Sequence, residues 1–412
     1  MAMNRLDVER VKKDFPILDV DVRGKRLVYL DSAASSQKPQ SVLDAMNRYY
    51  ETTHANVHRG VYAIAEEATA LMEEAREKVT AFIGAASSRE VVFTKNVTEA
   101  INLVAQSWGR SQLREGDAVL LTEIEHHANI VPWLMLKEAL GIELRYIPLG
   151  EEGQLDLSDL DRLVDGVKLV GVTAMSNVLG TLPPVRRIAD AAHAAGAVVL
   201  VDAAQYVPHL VTDVQAMGAD FVGFTAHKML GPTGIGVLWG REDLMEAMPP
   251  FLGGGEMIRD VRLDGFTPNE IPWKFEAGTP PIAEAVGLSA AIDYLTALDM
   301  EAVRAHEIEL TAYAMRSLTE RFGRDLVIHG PSEPGLRGGV LSFSFKDLHP
   351  HDVSQVLDEW GVCVRAGHHC AKPLMRRLGV GATARASMYV YNDEADVDAL
   401  ADALDKTSDL FS

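Results

Sequence analysis

The sequence contains little cysteine, few basic residues and no long apolar run. Its 412 residues include 2 cysteines, and 39 Lys and Arg stand against 59 Asp and Glu, a formal net charge of −20. Two cysteines cannot form a disulfide framework. A nucleic-acid partner is not expected, because no dense basic face is available to bind phosphates. No stretch reaches the length of about 18 apolar residues that spans a bilayer, so no membrane segment is predicted.

The N-terminal residues carry early charges of both signs and no apolar core of the kind found in export signals. Without such a signal, a reducing compartment is expected, which predicts a cytoplasmic protein. The length suits one large domain and a smaller one.

Strands and helices alternate through most of the chain. Residues 1–26 are predicted to form a short helix and a turn, and 27–31 a short strand. Helical periodicity covers 41–53 and 64–83. Strands are predicted at 90–94, 118–122, 142–148, 168–174, 197–202, 219–225 and 235–239, with helices between most of them. An irregular segment follows, from about 250 to 281. Helices at 282–297 and 300–322 then lead into a smaller layer, with strands near 326–329, 338–346, 361–366 and 383–391 and helices near 350–360 and 393–406. This alternation predicts a doubly wound α/β fold.

Polar residues follow two of the buried strands. Lys228 comes just after the strand predicted at 219–225, and Asp202 ends the strand before it. Ligands bind at the carboxyl ends of strands in open α/β sheets. Most lysines are solvated, but one buried here would have a lowered pKa and suit Schiff-base chemistry. Asp202 then fits the acidic partner of a pyridine nitrogen in a pyridoxal 5'-phosphate (PLP) site. Its alternative role is a strand-end cap. Gln205 would bond the cofactor's phenolic oxygen.

Cys370 lies in a polar stretch between Arg365, two histidines and Lys372. A cationic environment of this kind favours the reactive thiolate, whereas most free cysteines are inert and buried. Cys370 and the two histidines offer three adjacent metal ligands but no obvious fourth, which does not match a closed zinc site, so no metal is predicted. Cys363 lies in an apolar stretch and is expected in the core.

Several long motifs resemble those of one family, in the family's order. They are Thr53–Tyr62, Thr122–Asn129, Ser176–Thr181, Asp202–Gln205, His227–Lys228, Phe275–Pro280 and Arg365–Met375. Over essentially its whole length the chain resembles the group II cysteine desulfurases of the Suf type, class V aminotransferase relatives among the fold-type I PLP enzymes. The resemblance implies a mostly parallel seven-stranded sheet with flanking helices and a smaller α+β domain. The large PLP-binding domain would cover 20–295, and the small domain 1–19 with 296–412.

The resemblance also implies how PLP is held. Lys228 would bind the cofactor, and His126 would stack on its ring and take part in proton transfer; a lone histidine is more often structural. The phosphate ligands would be the backbone at Val97 and Thr98, the side chains of Thr225 and His227, and Thr279 from the second subunit of a homodimer. Val97 departs from the family, which usually has threonine there, so a hydroxyl contact is lost while the N–H remains.

The substrate carboxylate would be clamped by Arg385, assisted by Asn177. Without the resemblance, a surface ion pair is the simpler interpretation of Arg385. Further substrate contacts are assigned to His58, Arg59 and Arg365.

The implied activity is a cysteine desulfurase. Lys228 would move the α-proton of L-cysteine, and the Cys370 thiolate would attack the substrate sulfur, giving L-alanine and a persulfide. An acceptor of the SufE or SufU type would take the sulfur for iron–sulfur cluster assembly, and His351 is a candidate docking residue, the alternative being a helix cap. The alternative functions are a lyase of L-selenocysteine, a plain aminotransferase with no nucleophilic cysteine, and a non-enzymatic scaffold.

Overall fold

The structure is a computed structural model, and it describes residues 6–411. Its helices are α1 (Val8–Lys12), α2 (Gln40–Thr52), α3 (Ala63–Phe82), α4 (Val97–Val104), α5 (Arg110–Gln112), α6 (Val131–Leu140), α7 (Leu160–Val164), α8 (Val185–Ala194), α9 (Glu242–Ala247), α10 (Ile282–Leu298), α11 (Met300–Phe322), α12 (Pro350–Glu359), α13 (Lys372–Arg377) and α14 (Glu394–Leu410). None of the helices in this range is long and apolar enough to cross a membrane.

The strands fall into one large sheet, one smaller sheet and three two-stranded ribbons. They are β1 (Asp21–Val22), β2 (Lys25–Arg26), β3 (Val28–Tyr29), β4 (Val91–Thr94), β5 (Ala118–Thr122), β6 (Glu143–Ile147), β7 (Val167–Thr173), β8 (Val198–Asp202), β9 (Phe221–Thr225), β10 (Gly236–Gly240), β11 (Ile258–Arg262), β12 (Gly265–Pro268), β13 (Leu326–Ile328), β14 (Val340–Phe345), β15 (Val362–Cys363), β16 (Arg365–Gly367) and β17 (Thr383–Ser387).

The large sheet has seven strands in the order β4-β10-β9-β8-β7-β5-β6. Only β10 runs antiparallel to its two neighbours, and the other pairs are parallel. Most of these strands are buried along their length, as expected when helices cover both faces of a sheet. The predicted doubly wound, mostly parallel sheet is confirmed, and each predicted strand lies within two residues of the observed one.

The smaller layer is the antiparallel sheet β13-β14-β17-β16, which shares a core with α11, α12 and α14. The N-terminal part of the chain joins this layer, because β3 pairs in parallel with β15. Val28 and Leu30 pack into the smaller core, and Lys12 forms ion pairs with Asp393 and Asp396 at the start of α14. The Arg365 strand belongs to this smaller layer, whereas Ala371, Leu374 and Met375, just after Cys370, pack into the core of the large sheet.

Four local predictions differ from the structure. The segment from 250 to 281 contains the hairpin β11–β12, and the residues predicted as helix and turn before 26 contain the hairpin β1–β2. The strand residues of β11 and most of β12 are exposed, so no burial alternation marks them in the sequence. The predicted strand 361–366 is broken into β15 and β16, and that at 383–391 ends at Ser387. Residues 1–5 of the predicted first helix lie outside the described range.

Candidate active site

Lys228 ends a single helical turn that follows β9 directly. Burial of its ammonium lowers the pKa of Lys228 to about 8, Asp202 opposes this decrease, and Arg385 adds to it. A lysine with such a pKa has a substantial fraction of neutral amine near pH 8. The strand-end lysine therefore has the desolvated environment predicted for it.

Asp202 and Gln205 lie beside this turn, at the end of β8. The carboxyl group of Asp202 is 4% exposed, burial raises its pKa, and Lys228 counteracts that increase. Its Oδ1 also accepts the N–H of Ala204 at 3.1 Å, so the strand-end cap and the ring-partner role are compatible. Gln205 is buried; its Nε2 donates to the carbonyl of Ala33 at 2.7 Å, and its Oε1 has no hydrogen-bond partner among the described residues.

The first turn of α4 packs closely on β9 and β10, because Gly223 in the middle of β9 and Gly236 at the start of β10 have no side chain. A Cβ at Gly223 would lie 3.2 Å from Cγ2 of Val97, and one at Gly236 would lie 2.6 Å from Cα of Asn96. The first N–H groups of a helix have no acceptor within the helix. Beside them, the Thr225 side chain is fully buried, and within the described range its Oγ1 has no hydrogen-bond partner.

His227 fixes the lysine turn to the chain segment after β3. Its carbonyl accepts from the N–H of Ser36 at 2.9 Å and the hydroxyl of Ser35 at 3.1 Å, and the ammonium of Lys38 also reaches it. Burial, with Lys228 and Lys38 nearby, lowers the pKa of His227 to about 4. The imidazole is therefore neutral at physiological pH.

His126 lies in the loop after β5. Burial and the charge of Lys228 lower its pKa to about 3, and its Nδ1 accepts the N–H of Ala128 at 3.0 Å. The adjacent Glu125 is fully buried and accepts hydrogen bonds from Thr122, Asn129 and Thr173. Burial raises the pKa of Glu125 to about 8. Its carboxyl group therefore anchors the loop that presents His126.

Arg385 is buried in β17 and already bonded. Its Nη2 donates to Oδ1 of Asp31 at 3.0 Å, and its Nη1 donates to the carbonyl of Asn177 at 2.9 Å. Arg365 lies opposite Arg385 on β16, and its Nε is 3.6 Å from Oδ2 of Asp31. The simple ion pair considered from the sequence is present, but it is buried. Asp31 sits between two like charges that would otherwise repel each other.

The Cys370 loop connects β16 with α13. Cys370 is exposed, and both it and His369 have positive φ angles, 54° and 49°. The carbonyl of His369 accepts from Nδ2 of Asn177 at 2.8 Å, and the carbonyl of Cys370 accepts the N–H of His127 at 2.7 Å. The charges of Lys228 and Arg385 each interact with Cys370. The fold thus brings the amine, the thiol and an arginine into one site.

Comparison with known proteins agrees with this geometry. The model of the family "Aminotransferase class-V" matches residues 28–400. The chain belongs to the class-V aminotransferase family. A probable cysteine desulfurase of Streptomyces coelicolor is 53% identical over 98% of each chain, and a cysteine desulfurase of Haloferax volcanii is 47% identical over 99% of this chain and 98% of its own. A cysteine desulfurase structure from Thermococcus onnurineus superimposes with a TM-score of 0.93 at 40% identity, covering 98% and 99% of the chains.

Other residues that the family resemblance assigns to the site have different partners within one chain. His58 bonds Glu73 through its Nε2 at 3.2 Å, and Nε of Arg59 is 3.4 Å from Glu256. Thr279 is exposed and borders a cavity of about 410 Å³ near the start of α4. His351 is exposed at the start of α12, where its ring stacks on His349. The roles of these residues stay predictions.

Three residues of this class-V site escaped the sequence reasoning, namely Asp31, Glu125 and His127. Asp31 ends the short strand predicted at 27–31, and only the folded chain reveals its two arginine partners. Glu125 and His127 flank His126 directly, and that adjacency was the available signal. Cys363, expected in the core, is only partly buried, because β15 lies in a two-stranded ribbon.

Proposed function

We propose that this protein is a PLP-dependent cysteine desulfurase of the group II, Suf-type kind, which converts L-cysteine into L-alanine and a persulfide on Cys370. The observation that carries the proposal is the convergence of Lys228, Arg385 and Cys370 at the carboxyl edge of the large sheet. The relatives that are named cysteine desulfurases support the same activity.

The residues at the sheet edge fit PLP. Among the described residues, Oγ1 of Thr225 and Oε1 of Gln205 are buried there without a hydrogen-bond partner. The Thr225 hydroxyl and the free N–H groups of Val97 and Thr98 suit a phosphate. Nε2 of Gln205 carries a second N–H beside the one given to Ala33, which suits a phenolic oxygen.

PLP, when bound, supplies an electron sink for the carbanion formed at the substrate Cα. Asp202 is the buried anion that would hold its ring nitrogen protonated. Lys228 would anchor the cofactor, then act as a base on the α-proton, since a lowered pKa gives a neutral amine near physiological pH. The neutral His126 would cover the ring face and take part in proton transfer.

The two ends of the substrate would meet different parts of the small layer. Arg385, Arg365 and Asn177 would bind the α-carboxylate. Asp31 already forms ion pairs with both arginines and so uses part of their hydrogen-bonding capacity. The Cys370 thiolate would attack the substrate sulfur, breaking the Cβ–S bond. The sulfur would stay on Cys370 as a persulfide, while the three-carbon fragment would keep the electron pair of the broken bond. The fragment would take up one proton at Cβ, recover one at Cα and leave as alanine.

We further propose that Cys370 passes its sulfur to an acceptor protein of the SufE or SufU type, for iron–sulfur cluster assembly. Cys370 is exposed, which suits transfer between proteins. His351 is also exposed, on a helix that packs against β16, and it is the candidate docking residue. Stimulation of turnover by the acceptor should fall in the His351→Ala variant. Unchanged stimulation would show that His351 does not dock the acceptor.

A homodimer completes the proposed site. Thr279 from the partner would reach the phosphate, and His58 with Arg59 would approach the substrate. The stretch after Arg59 exposes apolar side chains, with Val61 94% and Tyr62 54% exposed, and a second copy of this chain would cover them. Light scattering should give twice the chain mass of 44.9 kDa. A monomer that binds PLP and turns over cysteine would contradict this part.

The domain division and the location complete the proposal. The large PLP-binding domain would cover 20–295, and the small domain 1–19 with 296–412; the separate smaller core supports this division, with Val28 and Leu30 crossing to it. A cytoplasmic location is supported by the chemistry, because the reaction needs Cys370 as a thiol and both cysteines are free.

The alternative functions are separated by two variants. Cys370→Ser should abolish cysteine turnover, whereas a selenocysteine lyase would still release selenium from L-selenocysteine, and a plain aminotransferase would keep its full activity. Lys228→Ala should remove the visible absorbance of the lysine-bound cofactor. Purified protein that shows no cofactor absorbance, and no change on Lys228→Ala, would support a non-enzymatic scaffold instead.

A further inference from the structure

His127 contacts the Cys370 loop at the cysteine itself and two residues after it. Its backbone N–H donates to the carbonyl of Cys370 at 2.7 Å, and its Nε2 accepts the N–H of Lys372 at 3.0 Å. We propose that His127 is a positioning residue that holds Cys370 in its reactive placement by these two hydrogen bonds. This inference rests on the proposed desulfurase function.

The second bond fixes the state of the ring. A backbone N–H can only donate, so Nε2 of His127 must carry a lone pair and the proton of the neutral ring lies on Nδ1. Burial and the nearby charges of His368 and Lys372 lower the pKa of His127, which keeps the ring in this acceptor form. The side chain of Lys372 is exposed, and its ammonium does not need the imidazole as an acceptor. His127 therefore bonds the backbone of the loop and not the Lys372 side chain.

The loop needs such support because it contains two consecutive non-glycine residues, His369 and Cys370, with positive φ. That conformation is unfavourable for a residue with a side chain, and it persists only where the surroundings hold it. The carbonyl of His369 is held by Asn177 at 2.8 Å, and its ring contacts Thr383 at 2.9 Å. His127 supplies the corresponding hold at Cys370.

The short turn that contains His127 is itself fixed by hydrogen bonds. His127 begins a short helical turn, Ala128 and Asn129 complete it, and Asn129 bonds the buried Glu125 at 2.8 Å. The preceding residue is His126, the proposed cofactor-stacking group. One anchored turn therefore presents His126 to the proposed cofactor face and His127 to the nucleophile loop, which sets the thiol relative to the substrate sulfur.

The test compares His127→Phe, which removes the acceptor, with His127→Gln, whose side-chain oxygen lies the same number of bonds from Cα as Nε2. Both are prepared as PLP-loaded protein. Hydrogen–deuterium exchange of the peptide containing Lys372 is measured, with α14 as internal reference, together with persulfide formation on Cys370 in one turnover of L-cysteine.

We expect the Lys372 amide to exchange at least threefold faster in His127→Phe and persulfide formation to slow about tenfold, with cofactor absorbance unchanged. His127→Gln should stay within twofold of the parent in both measurements. Parent-like exchange and persulfide rates in His127→Phe would overturn the proposal, and so would a His127→Gln variant as slow as His127→Phe, which would indicate a reacting imidazole. If the parent protein forms no persulfide, the desulfurase function fails, and the exchange data still decide whether His127 holds the loop.

Discussion

Replacing Glu125 by glutamine should abolish the release of one proton on unfolding. The carboxyl group is fully buried and accepts three hydrogen bonds, and no cation from residues 6–411 pairs with it; burial raises its pKa from 4.5 to about 8. Near pH 6 it therefore keeps its proton in the folded chain and loses it when unfolded. Glutamine keeps the shape and the carbonyl acceptor but has no proton to lose.

The magnitude follows from the same pKa values. A group whose pKa is raised on folding contributes stability that is complete below about pH 4.5 and is lost as the pH rises through about 8. The free energy of unfolding should fall by about 1.4 kcal/mol for each pH unit within this window, on the order of 4–5 kcal/mol in total. At pH 6, unfolding should release about one proton per chain from this group.

The assay transfers protein at pH 6 into weakly buffered concentrated denaturant and titrates the proton release, so reversible unfolding is not required. Buried histidines such as His126 take up protons on unfolding, but they do so equally in parent and variant, and the difference isolates Glu125. The exposed Glu138 on α6 offers a matched control, Glu138→Gln. Equal proton release by the parent and Glu125→Gln would refute a protonated buried carboxyl.

Two further predictions concern the packing around the site. Gly236→Ala should destabilise the protein by about 1–3 kcal/mol and weaken PLP retention, because its Cβ would lie 2.6 Å from Cα of Asn96. Gly381→Ala, where a Cβ would meet open space, is the control. Equal cofactor retention by the two variants in a dialysis assay would contradict the close approach at Gly236. Arg76→Met should cost about 3–5 kcal/mol in urea denaturation, because it leaves Glu276 buried without the guanidinium that now lies 2.7 Å away. Arg76→Met/Glu276→Gln should recover part of that loss, and no recovery would argue against a stranded charge.

The fold was predictable where burial leaves a periodic signal. The large sheet is made of apolar runs such as β9, so the predicted bounds of its strands lie close to the observed ones. The site positions of Lys228 and Asp202 follow from the rule that ligands bind at the carboxyl ends of strands. The hairpin β11–β12 was missed because exposed strands carry no such pattern. Asp31 was missed for a different reason. Its ion pairs with Arg365 and Arg385 join residues more than 300 positions apart, and no local pattern encodes them.

The roles proposed for Thr279, His58 and Arg59 depend on a second subunit. Within one chain, His58 and Arg59 contact Glu73 and Glu256, and Thr279 borders a cavity near the start of α4. The role of His127, in contrast, is visible within one chain. The sequence singled out its neighbour His126, but it could not show that His127 contacts a loop over 240 residues away.

The most direct test of the desulfurase activity mixes PLP-loaded protein with a stoichiometric amount of L-cysteine, without acceptor or reductant. Alanine is quantified, and intact and peptide masses locate the sulfur. We expect one alanine per site, with one added sulfur atom on Cys370 and none on the partly buried Cys363. Alanine formed without sulfur on Cys370, or full activity in Cys370→Ser, would contradict it.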